Sequence, residues 1–357
     1  MGMPVSDARF RAEDLRAFAA QMLGALGMDA DMARAMSARV IDADLLGYPT
    51  HGLAFFPAYL ERIEKRMIAL SGSWEVVSDR PGAFAWKCER LPGAWVMEKA
   101  TAELIVRARA QGVATATIAK CSHIGCLQTY LPPFTEQGLL VFLACTNPGI
   151  YSVAPFGGAD AVLTSNPMAY GFPTSGAPVL IDQSTSLASN AFFNGFAARK
   201  EKLPAKWLLD AHGNPTDDPT ALGAKPAGTI LPLGGLEFGY KGFGYGIAVE
   251  ALSLALSGYG RAQKPDAFGQ SVFIQAIDPD AFAGREAFLR EMDHLVAACH
   301  ASRPRRGVER VRVPGERALA AKADQEKNGV RIAPATLQKL DPWLKKLGVA
   351  FPQEEKP

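Results

Sequence analysis

Two of the chain's five histidines stand in contexts that suit proton transfer. His123 follows an apolar, β-branched run over 113–118 that predicts a buried strand, so its imidazole would be held rigidly beside a cleft. His51 follows Thr50, which we predict to cap a third helix, placing His51 in the first helical turn. Amides and the helix dipole there would favour a neutral imidazole and attract a carboxylate or phosphate. The alternatives are a core histidine at 123 and a surface histidine at 51.

A carboxylate and three hydroxyls form a second group of polar residues. Asp182 follows a short apolar run over 179–181 that predicts a strand, and Ser184, Thr185 and Ser186 come next. Such a group could bind sugar hydroxyls or orient an imidazole through a hydrogen bond. The same residues could instead be a helix N-cap with no further role. The pattern leaves both alternatives open.

Glycines are concentrated between residues 231 and 246, and Lys241 stands among them. Glycine lets a backbone approach a phosphate closely, and a lysine could neutralise its charge. The dinucleotide fingerprint G-x-G-x-x-G does not occur here, nor does its strand–turn–helix context with an acidic residue further on. Close helix packing would also explain the glycines, so the block alone is compatible with either role.

Composition argues against several classes of function. The 357 residues suffice for two domains, and 48% hydrophobic with 21% charged residues is typical of a globular protein. A formal net charge of +2 argues against nucleic acid or an anionic membrane as the main partner. The sequence has no membrane-spanning apolar run and no signal-peptide pattern. Five scattered cysteines predict reduced thiols in the cytoplasm, and the absence of H-x-x-x-H and C-x-x-C pairs argues against a metal site.

Hydrophobic periodicity predicts helices at both ends of the chain and a β-rich middle that begins near residue 72. Helices are expected at 7–26, 29–46, from Thr50 onward, and at 97–111, 247–257, 281–300 and 334–347. Strands are expected at 113–121, 139–145, 161–164, 179–181, 270–277 and 311–313. Residues 199–226 are polar and turn-rich, which predicts a surface loop.

Seven groups of residues, in their order and spacing, resemble the malate/L-lactate dehydrogenase family of the second type. Its relatives include ureidoglycolate dehydrogenase, sulfolactate dehydrogenase, diketogulonate reductase and the Δ1-piperideine-2-carboxylate reductases. The matching segments are D-L-L-G (44–47) with T-H-G (50–52), S-H-I-G (122–125), T-S-N-P (164–167), Asp182 with S-T-S (184–186), L-P-L-G-G (231–235), K-G-F-G (241–244) with Glu250, and P-G-E (314–316). The resemblance covers nearly the whole chain, from residue 8 to residue 350.

The resemblance implies an α/β fold of the α+β type that binds NAD or NADP without a Rossmann domain. The cofactor domain, expected at 73–260, would have a largely antiparallel sheet. A helical domain for substrate binding and dimerisation would combine 1–72 with 261–357. The resemblance also implies a homodimer, with the active site near the domain and subunit boundary, and a small-molecule substrate.

The implied reaction is hydride transfer between the nicotinamide and a 2-hydroxy acid or 2-oxo acid, in which a histidine takes or gives the hydroxyl proton. We favour His123 as this acid or base and His51 as a substrate-binding residue, and the reverse assignment stays open. Asp182 would orient one imidazole, while Thr50 and Ser122 would hold the carbonyl or carboxylate. The implied cofactor contacts are Pro178, Ile181, Asp182, Gln183, Ser184, Tyr240, Lys241, Pro314, Gly315, Glu316 and Asn147.

Phe55 departs from the family pattern. Many members carry an arginine at this position, three residues after the glycine of T-H-G, where it is placed to grip the substrate carboxylate with two hydrogen bonds. A phenyl ring cannot replace a guanidinium, so the carboxylate must be bound otherwise or the substrate must differ. Phe55 and Phe56 would line an apolar pocket suited to a bulkier 2-oxo acid or a cyclic imine. The alternative substrate is therefore a cyclic imine carboxylate such as Δ1-piperideine-2-carboxylate.

Two other interpretations compete with an oxidoreductase. A hydrolase could use Cys121 or Ser122 with His123, but sequence neighbours on a strand point to opposite faces and no nucleophile-elbow motif is present. A non-catalytic ligand-binding relative would account for Phe55, whereas the presence of both histidines and Asp182 argues against it.

Overall fold

The computed structural model describes residues 8–265 and 269–354. Residues 1–7, which carry the start of the first predicted helix and the stretch without a signal-peptide pattern, lie outside the described part, as do residues 355–357. Within those ranges the ten α-helices are α1 Ala12–Ala25, α2 Ala30–Leu45, α3 Phe56–Glu64, α4 Gly93–Gln111, α5 Pro132–Thr135, α6 Asn190–Arg199, α7 Gly235–Glu250, α8 Arg285–Ala301, α9 Glu316–Asn328 and α10 Pro334–Leu347.

The strands form one large and two small sheets. In chain order they are β1 Ala8–Phe10, β2 Glu75–Arg80, β3 Ala83–Lys87, β4 Val113–Cys121, β5 Leu140–Thr146, β6 Met168–Phe172, β7 Val179–Gln183, β8 Leu208–Leu209, β9 Pro215–Thr216, β10 Thr229–Ile230, β11 Gln270–Ile277 and β12 Val330–Ile332. The large sheet has the order β2-β3-β4-β11-β5-β6-β7, and only the β3–β4 pairing is parallel among the described strands. It is a mixed, mostly antiparallel sheet, unlike the parallel sheet of a Rossmann fold.

β11 lies in the middle of this sheet, between β4 and β5. Phe273 pairs with Thr117 on one side and with Ala144 on the other. Most of its side chains are buried, which suits an apolar strand covered on both faces. The predicted boundary at residue 260 assigns 270–277 to the helical domain, whereas β11 lies within the large sheet. The predicted division into domains stays a prediction.

Segments from the two ends of the chain pack on each other. β1 pairs with β12 in antiparallel register. The buried Gln325 amide of α9 donates to the backbone carbonyls of Asp44 and Leu45 at the end of α2. The predicted apolar face of α2 is buried and contributes to the main hydrophobic core, which α2 shares with α4 and the large sheet. These contacts support a helical unit built from N- and C-terminal segments.

The glycine-dense block is itself helical, so the predicted start of that helix at residue 247 is wrong. α7 begins at Gly235, and its buried glycines 239, 242 and 246 recur on one face, where they let the helix approach its neighbours closely. A Cβ on Gly242 would lie 2.4 Å from the backbone nitrogen of Leu233. Of the two alternatives for these glycines, close helix packing is what the structure shows.

Other predicted elements also differ. Residues 161–164 contribute only an isolated bridge between Leu163 and Val153, and 311–313 form no regular strand. The predicted loop at 199–226 contains β8 and β9, and a second, smaller hydrophobic core lies beneath them. α8 begins at Arg285, after a 3₁₀ turn at Pro279–Ala281. Within the described residues, no helix combines the length and apolarity needed to cross a membrane.

Candidate active site

The two histidines singled out by the sequence lie side by side. Their rings are nearly parallel, with centroids 5.9 Å apart and planes inclined by 13°. Both side chains are partly exposed, so a bound molecule can reach them. The fold therefore brings the two imidazoles, which are distant in sequence, into one site.

Backbone and side-chain bonds fix the turn that carries His123. Ser122 donates its backbone N–H to the Leu91 carbonyl, and its buried hydroxyl accepts from the N–H of Gly93 at the start of α4, each at 2.9 Å. After the histidine, the N–H of Ile124 donates to the Gln270 side chain at 2.8 Å. The contact that the structure shows for Ser122 is thus with α4, and its contact with a substrate stays a prediction.

The hydroxyl of Tyr59 lies 2.6 Å from Nδ1 of His123. A phenol can donate to this nitrogen or accept from it, so Tyr59 can match either neutral tautomer of the imidazole. Burial raises the pKa of Tyr59, which keeps the phenol protonated. Because Nδ1 is engaged by Tyr59, proton exchange with a bound molecule falls to Nε2 of His123.

Sequence reasoning missed Tyr59, although α3 contains a signal for it. The buried stripe of this helix consists of Phe56, Tyr59, Leu60 and Ile63. A tyrosine hydroxyl in such a stripe needs a hydrogen-bond partner inside the protein. A search for that partner among nearby polar residues could have paired Tyr59 with a histidine.

His51 does not lie in the first turn of a helix capped by Thr50, as the sequence predicts. It lies in a 3₁₀ turn at Pro49–His51, and α3 begins only at Phe56. The hydroxyl of Thr50 is 3.1 Å from Nδ1 of His51. Thr50 therefore contacts the imidazole directly instead of capping a helix.

Asp44 holds the turn that carries His51. Its buried carboxylate accepts a hydrogen bond from the Leu53 N–H at 2.7 Å and packs so closely on Gly52 that a Cβ there would lie 2.0 Å from the carboxylate oxygen. Burial raises the pKa of Asp44 to about 7, although the hydrogen bond from Leu53 opposes this shift. Sequence reasoning included Asp44 in a matching segment without assigning it a role.

The titration of Asp44 should make the stability of the protein depend on pH. Its pKa is higher in the folded state than in the unfolded state, so its contribution to the free energy of unfolding should decrease as pH rises from about 4 to about 7, by up to about 1.4 kcal/mol per pH unit. Asp44→Asn keeps an acceptor for Leu53 but cannot titrate. We expect the wild-type free energy of unfolding, minus that of the variant, to fall over this range in urea titrations; a constant difference would contradict the assignment.

Both imidazoles are predominantly neutral near pH 7. Burial lowers the pKa of His51. Burial, together with the neighbouring His51 and the positive charge of Arg62, lowers the pKa of His123 to about 3. A neutral imidazole can accept the proton of an alcohol or donate its N–H to a carbonyl oxygen, and an anion bound nearby would raise its pKa. The pair is thus poised for proton transfer.

An aromatic wall borders His123. The ring of Phe55 lies 5.4 Å from the His123 ring and 5.0 Å from the ring of Tyr59, against which it packs edge-on. The guanidinium carbon of Arg62 lies over the same phenyl ring, 5.1 Å from its centroid. An apolar surface and a positive charge therefore adjoin the imidazole pair.

Asp182 faces the segment that follows His123. Its carboxylate accepts from the backbone N–H of Gln128 at 3.0 Å and from the thiol of Cys126 at 3.7 Å. Burial raises its pKa to about 6, and these hydrogen bonds oppose the shift. In the described part of the chain, neither imidazole hydrogen-bonds to Asp182, so the predicted bond is absent from this structure. Asp182 instead ties β7 to the segment at 126–128.

Two predicted cofactor segments are adjacent. The N–H of Leu180 in β7 donates to the carbonyl of Pro314 at 3.1 Å. Gly315 adopts φ +99°, and a Cβ there would lie 2.9 Å from the Leu180 nitrogen, so the two backbones meet where a larger residue would not fit. The segment containing Pro178, Ile181, Gln183 and Ser184 therefore lies beside 314–316.

The other predicted cofactor residues, Tyr240, Lys241 and Asn147, lie on α7 and in the turn after β5. Tyr240 and Lys241 are exposed on α7, and the Lys241 ammonium lies 5.4 Å from the ring centroid of Phe238. α7 connects to the β7 region because the N–H of Leu233, just before the helix, donates to the carbonyl of Thr185. Asn147 is buried in the turn after β5, where its side chain accepts from a backbone N–H two residues on. Their contacts with a cofactor stay predictions.

Orphaned polar atoms near these segments suit a dinucleotide. Both amide atoms of the buried Gln128 side chain lack a hydrogen-bond partner among the described residues, and the backbone of this residue contacts Asp182. One carboxylate oxygen of Glu316 has no hydrogen-bond partner within the described part, but it forms an ion pair with Arg310 at 3.5 Å. A carboxamide needs a donor and an acceptor, and a ribose hydroxyl needs an acceptor. The residues present therefore fit a nicotinamide dinucleotide, and sequence reasoning missed Gln128.

Comparison with known proteins agrees with these features. The sequence profile of the malate/L-lactate dehydrogenase family matches residues 10–341. An L-lactate dehydrogenase of Cupriavidus necator is 29% identical over 94% of this chain and 97% of its own. A Δ1-pyrroline-2-carboxylate/Δ1-piperideine-2-carboxylate reductase of Pseudomonas syringae pv. tomato is 30% identical over 88% and 90%. In fold, the crystal structure of malate dehydrogenase from Entamoeba histolytica superposes with a TM-score of 0.91, at 22% identity, covering 97% of this chain and all of that one.

The chain belongs to the malate/L-lactate dehydrogenase family. It is thus an enzyme of the dehydrogenase/reductase class, which confirms the resemblance drawn from the sequence. The competing hydrolase interpretation also fails on chemistry, because burial raises the pKa of the Cys121 thiol to about 12 and the Ser122 hydroxyl is engaged by Gly93.

Proposed function

We propose that this protein transfers a hydride between a nicotinamide dinucleotide and a small 2-oxo or 2-hydroxy acid, with His123 as the acid or base. The proposal rests on the parallel pair of neutral imidazoles at His51 and His123. Tyr59 orients the His123 ring through a hydrogen bond to Nδ1. The relatives are named as lactate, malate and sulfolactate dehydrogenases and as a reductase of cyclic imine carboxylates. These names support a small 2-oxo or 2-hydroxy acid as the substrate class.

In the direction of reduction, His123 acts as the imidazolium, whose pKa is raised by a bound carboxylate, and its Nε2–H passes a proton to the oxygen that develops negative charge, which leaves a neutral imidazole. Nδ1 keeps its hydrogen throughout and donates to the Tyr59 hydroxyl, so the ring keeps its orientation through the proton transfer. In the reverse direction, the neutral imidazole removes the proton of the hydroxyl group. His51, with Nδ1 beside the Thr50 hydroxyl, presents its other nitrogen as a second hydrogen-bonding group for the substrate.

The cofactor is proposed to be NAD or NADP, which supplies or accepts the hydride when bound. The residues that would hold it are those of β7 and Ser184, together with Pro314, Gly315 and Glu316. The Gln128 amide would meet its carboxamide, and Tyr240, Lys241 and Asn147 would add outer contacts. Titration of the protein with NADH and with NADPH, followed by nicotinamide fluorescence, tests this site and shows which dinucleotide it prefers.

Oxidation of NADH and NADPH by a panel of substrates tests the proposed reaction. The panel should contain pyruvate, oxaloacetate, bulkier 2-oxo acids and Δ1-piperideine-2-carboxylate. Because Phe55 gives the site an apolar wall next to His123, we expect a bulkier 2-oxo acid or the cyclic imine to be preferred over oxaloacetate. Reduction of the imine is the second candidate function, supported by the 30% identical reductase. A protein that binds the dinucleotide and turns over no member of the panel would contradict both.

We also propose a homodimer that pairs through the outer face of α7. Around the exposed side of this helix, Leu236, Phe238, Tyr240, Tyr245 and Ile247 are each about half exposed, which is unusual for one helix of a monomer. Light scattering should give the mass of two chains, and Phe238→Glu should shift it to one chain by placing a charge in the contact. Val106→Glu, at an exposed valine of α4, is the control. A wild-type monomer would contradict this arrangement.

A further inference from the structure

We propose that Arg62 binds the carboxylate of the substrate and thereby does the work of the arginine that Phe55 replaces. The inference rests on the proposed function, since a 2-oxo acid or a cyclic imine carboxylate carries a negative charge next to its reactive carbon. Such a charge needs a cation close to the acid or base, on the side where the substrate lies.

Arg62 is placed for this by the geometry of α3. It follows Phe55 by seven residues, which is two helical turns, so the two side chains rise from the same side of the helix. The guanidinium carbon accordingly lies 5.1 Å from the centroid of the Phe55 ring, and that ring lies 5.4 Å from the ring of His123. The Phe55 ring therefore neighbours both the guanidinium and the imidazole, which places the positive charge at the aromatic edge of the site.

The charge of Arg62 already acts on the catalytic groups. It lowers the pKa of His123 and opposes the rise in the pKa of Tyr59, so its electric field extends across the site. The Arg62 side chain is partly buried, and a guanidinium that is partly removed from water binds a carboxylate more strongly than an exposed one. Arginine can make two parallel hydrogen bonds to a carboxylate, which would also orient the reactive carbonyl.

Arg39 is the alternative cation, since it lines a small cavity next to both imidazoles. One nitrogen of its guanidinium, Nη1, donates to the Asp42 carboxylate at 3.1 Å and to the Thr129 carbonyl at 2.7 Å, whereas its buried Nε has no hydrogen-bond partner among the described residues. Asp42 also pairs with Arg16, so it offsets only part of the charge of Arg39. Arg62 is favoured because its positive charge acts on His123 and its guanidinium lies over the Phe55 ring.

The test compares Arg62→Gln and Arg62→Lys with Arg66→Gln, which removes an exposed arginine just after the end of the same helix. For the best 2-oxo acid of the panel, we expect KM to rise about 10-fold to 100-fold in Arg62→Gln, the loss that corresponds to a charge-assisted hydrogen bond. Arg62→Lys should lose less because it keeps the charge. The neutral amide of the same acid should have the same KM in wild type and all three variants.

A binding measurement separates this inference from the proposed function. Oxamate, a carboxylate that does not react, is titrated into the protein with NADH or NADPH present and its heat of binding recorded. Wild type and Arg66→Gln should bind oxamate, and Arg62→Gln should lose most of the affinity while retaining its melting temperature. If wild type turns over the panel and Arg62→Gln keeps wild-type KM and oxamate affinity, the inference is overturned and the proposed function stands. If wild type neither binds oxamate nor turns over the panel, both are overturned.

Moving the arginine from position 62 to position 55 tests whether carboxylate affinity can be restored. In Phe55→Arg combined with Arg62→Leu, the cation moves to the position that many family members use. We expect this double variant to recover most of the carboxylate affinity that Arg62→Gln loses. Failure to recover it, with a folded protein, would show that Arg62 acts on stability or on His123 and not on the carboxylate.

Discussion

Glutamine at position 123 should abolish most of the turnover while leaving the dinucleotide site intact. We expect His123→Gln to lower kcat by about 10²-fold to 10⁴-fold, the range that a general acid or base contributes. The reason is that Nε2 of His123 is the nitrogen available to the substrate once Tyr59 has engaged Nδ1. Steady-state rates with the best substrate of the panel and fluorescence titration with the cofactor check the two halves of this prediction.

His51→Gln and Tyr59→Phe are the companions of that variant. If His51 binds the substrate, its replacement should raise KM more than it lowers kcat. Tyr59→Phe keeps the ring and removes the hydroxyl, so His123 would lose its fixed orientation, and kcat should fall less than in His123→Gln. A large loss of kcat in His51→Gln with near-normal turnover in His123→Gln would reverse the roles of the two imidazoles.

The central strands and the end helices could be predicted from the sequence. β4, β11 and α10 have the expected bounds because each is a long segment of one periodicity, flanked by residues that break it. The short segments at 161–164 and 311–313 failed because three or four apolar residues fit a loop as well as a strand. α7 failed because glycine is a poor helix former in isolation, and only close tertiary packing against Leu233 makes it suitable there.

The candidate site could be predicted in part. Residue type and context pointed to His51 and His123, yet the sequence carries no information on the distance between segments that are remote in the chain, so their contact had to come from the fold. The same holds for Asp182, whose partners proved to be Gln128 and Cys126. Tyr59 was missed because its partner, His123, is remote in the chain, and periodicity alone assigns a buried tyrosine of α3 to packing.

Gly93 connects the stability of the fold to the position of the catalytic histidine. It is the first residue of α4, and a Cβ there would lie 2.3 Å from the carbonyl oxygen of Ser122 and 3.0 Å from that of His123. Both neighbours are backbone atoms, and Ser122 is held by its own hydrogen bonds, so the extra methyl group cannot be accommodated by a change of rotamer. Either α4 or the turn carrying His123 must move.

Gly93→Ala should therefore damage stability and activity together. We expect the free energy of unfolding to fall by about 1–3 kcal/mol, as for an overpacked core. We also expect kcat to drop by up to about 10²-fold in the molecules that remain folded, because displacing a catalytic group by about 1 Å has an effect of that size.

Gly24→Ala is the matched control: Gly24 is an exposed residue of α1 with open space at its Cβ, so alanine should raise stability by about 0.5–1 kcal/mol without changing kcat. Urea unfolding measures the free energy of unfolding of the two variants, and steady-state kinetics measures their kcat. A Gly93→Ala protein with wild-type stability and kcat would mean that the turn between β4 and Ile124 is not clamped by α4, and the rigid placement of His123 would have to come from Tyr59 alone.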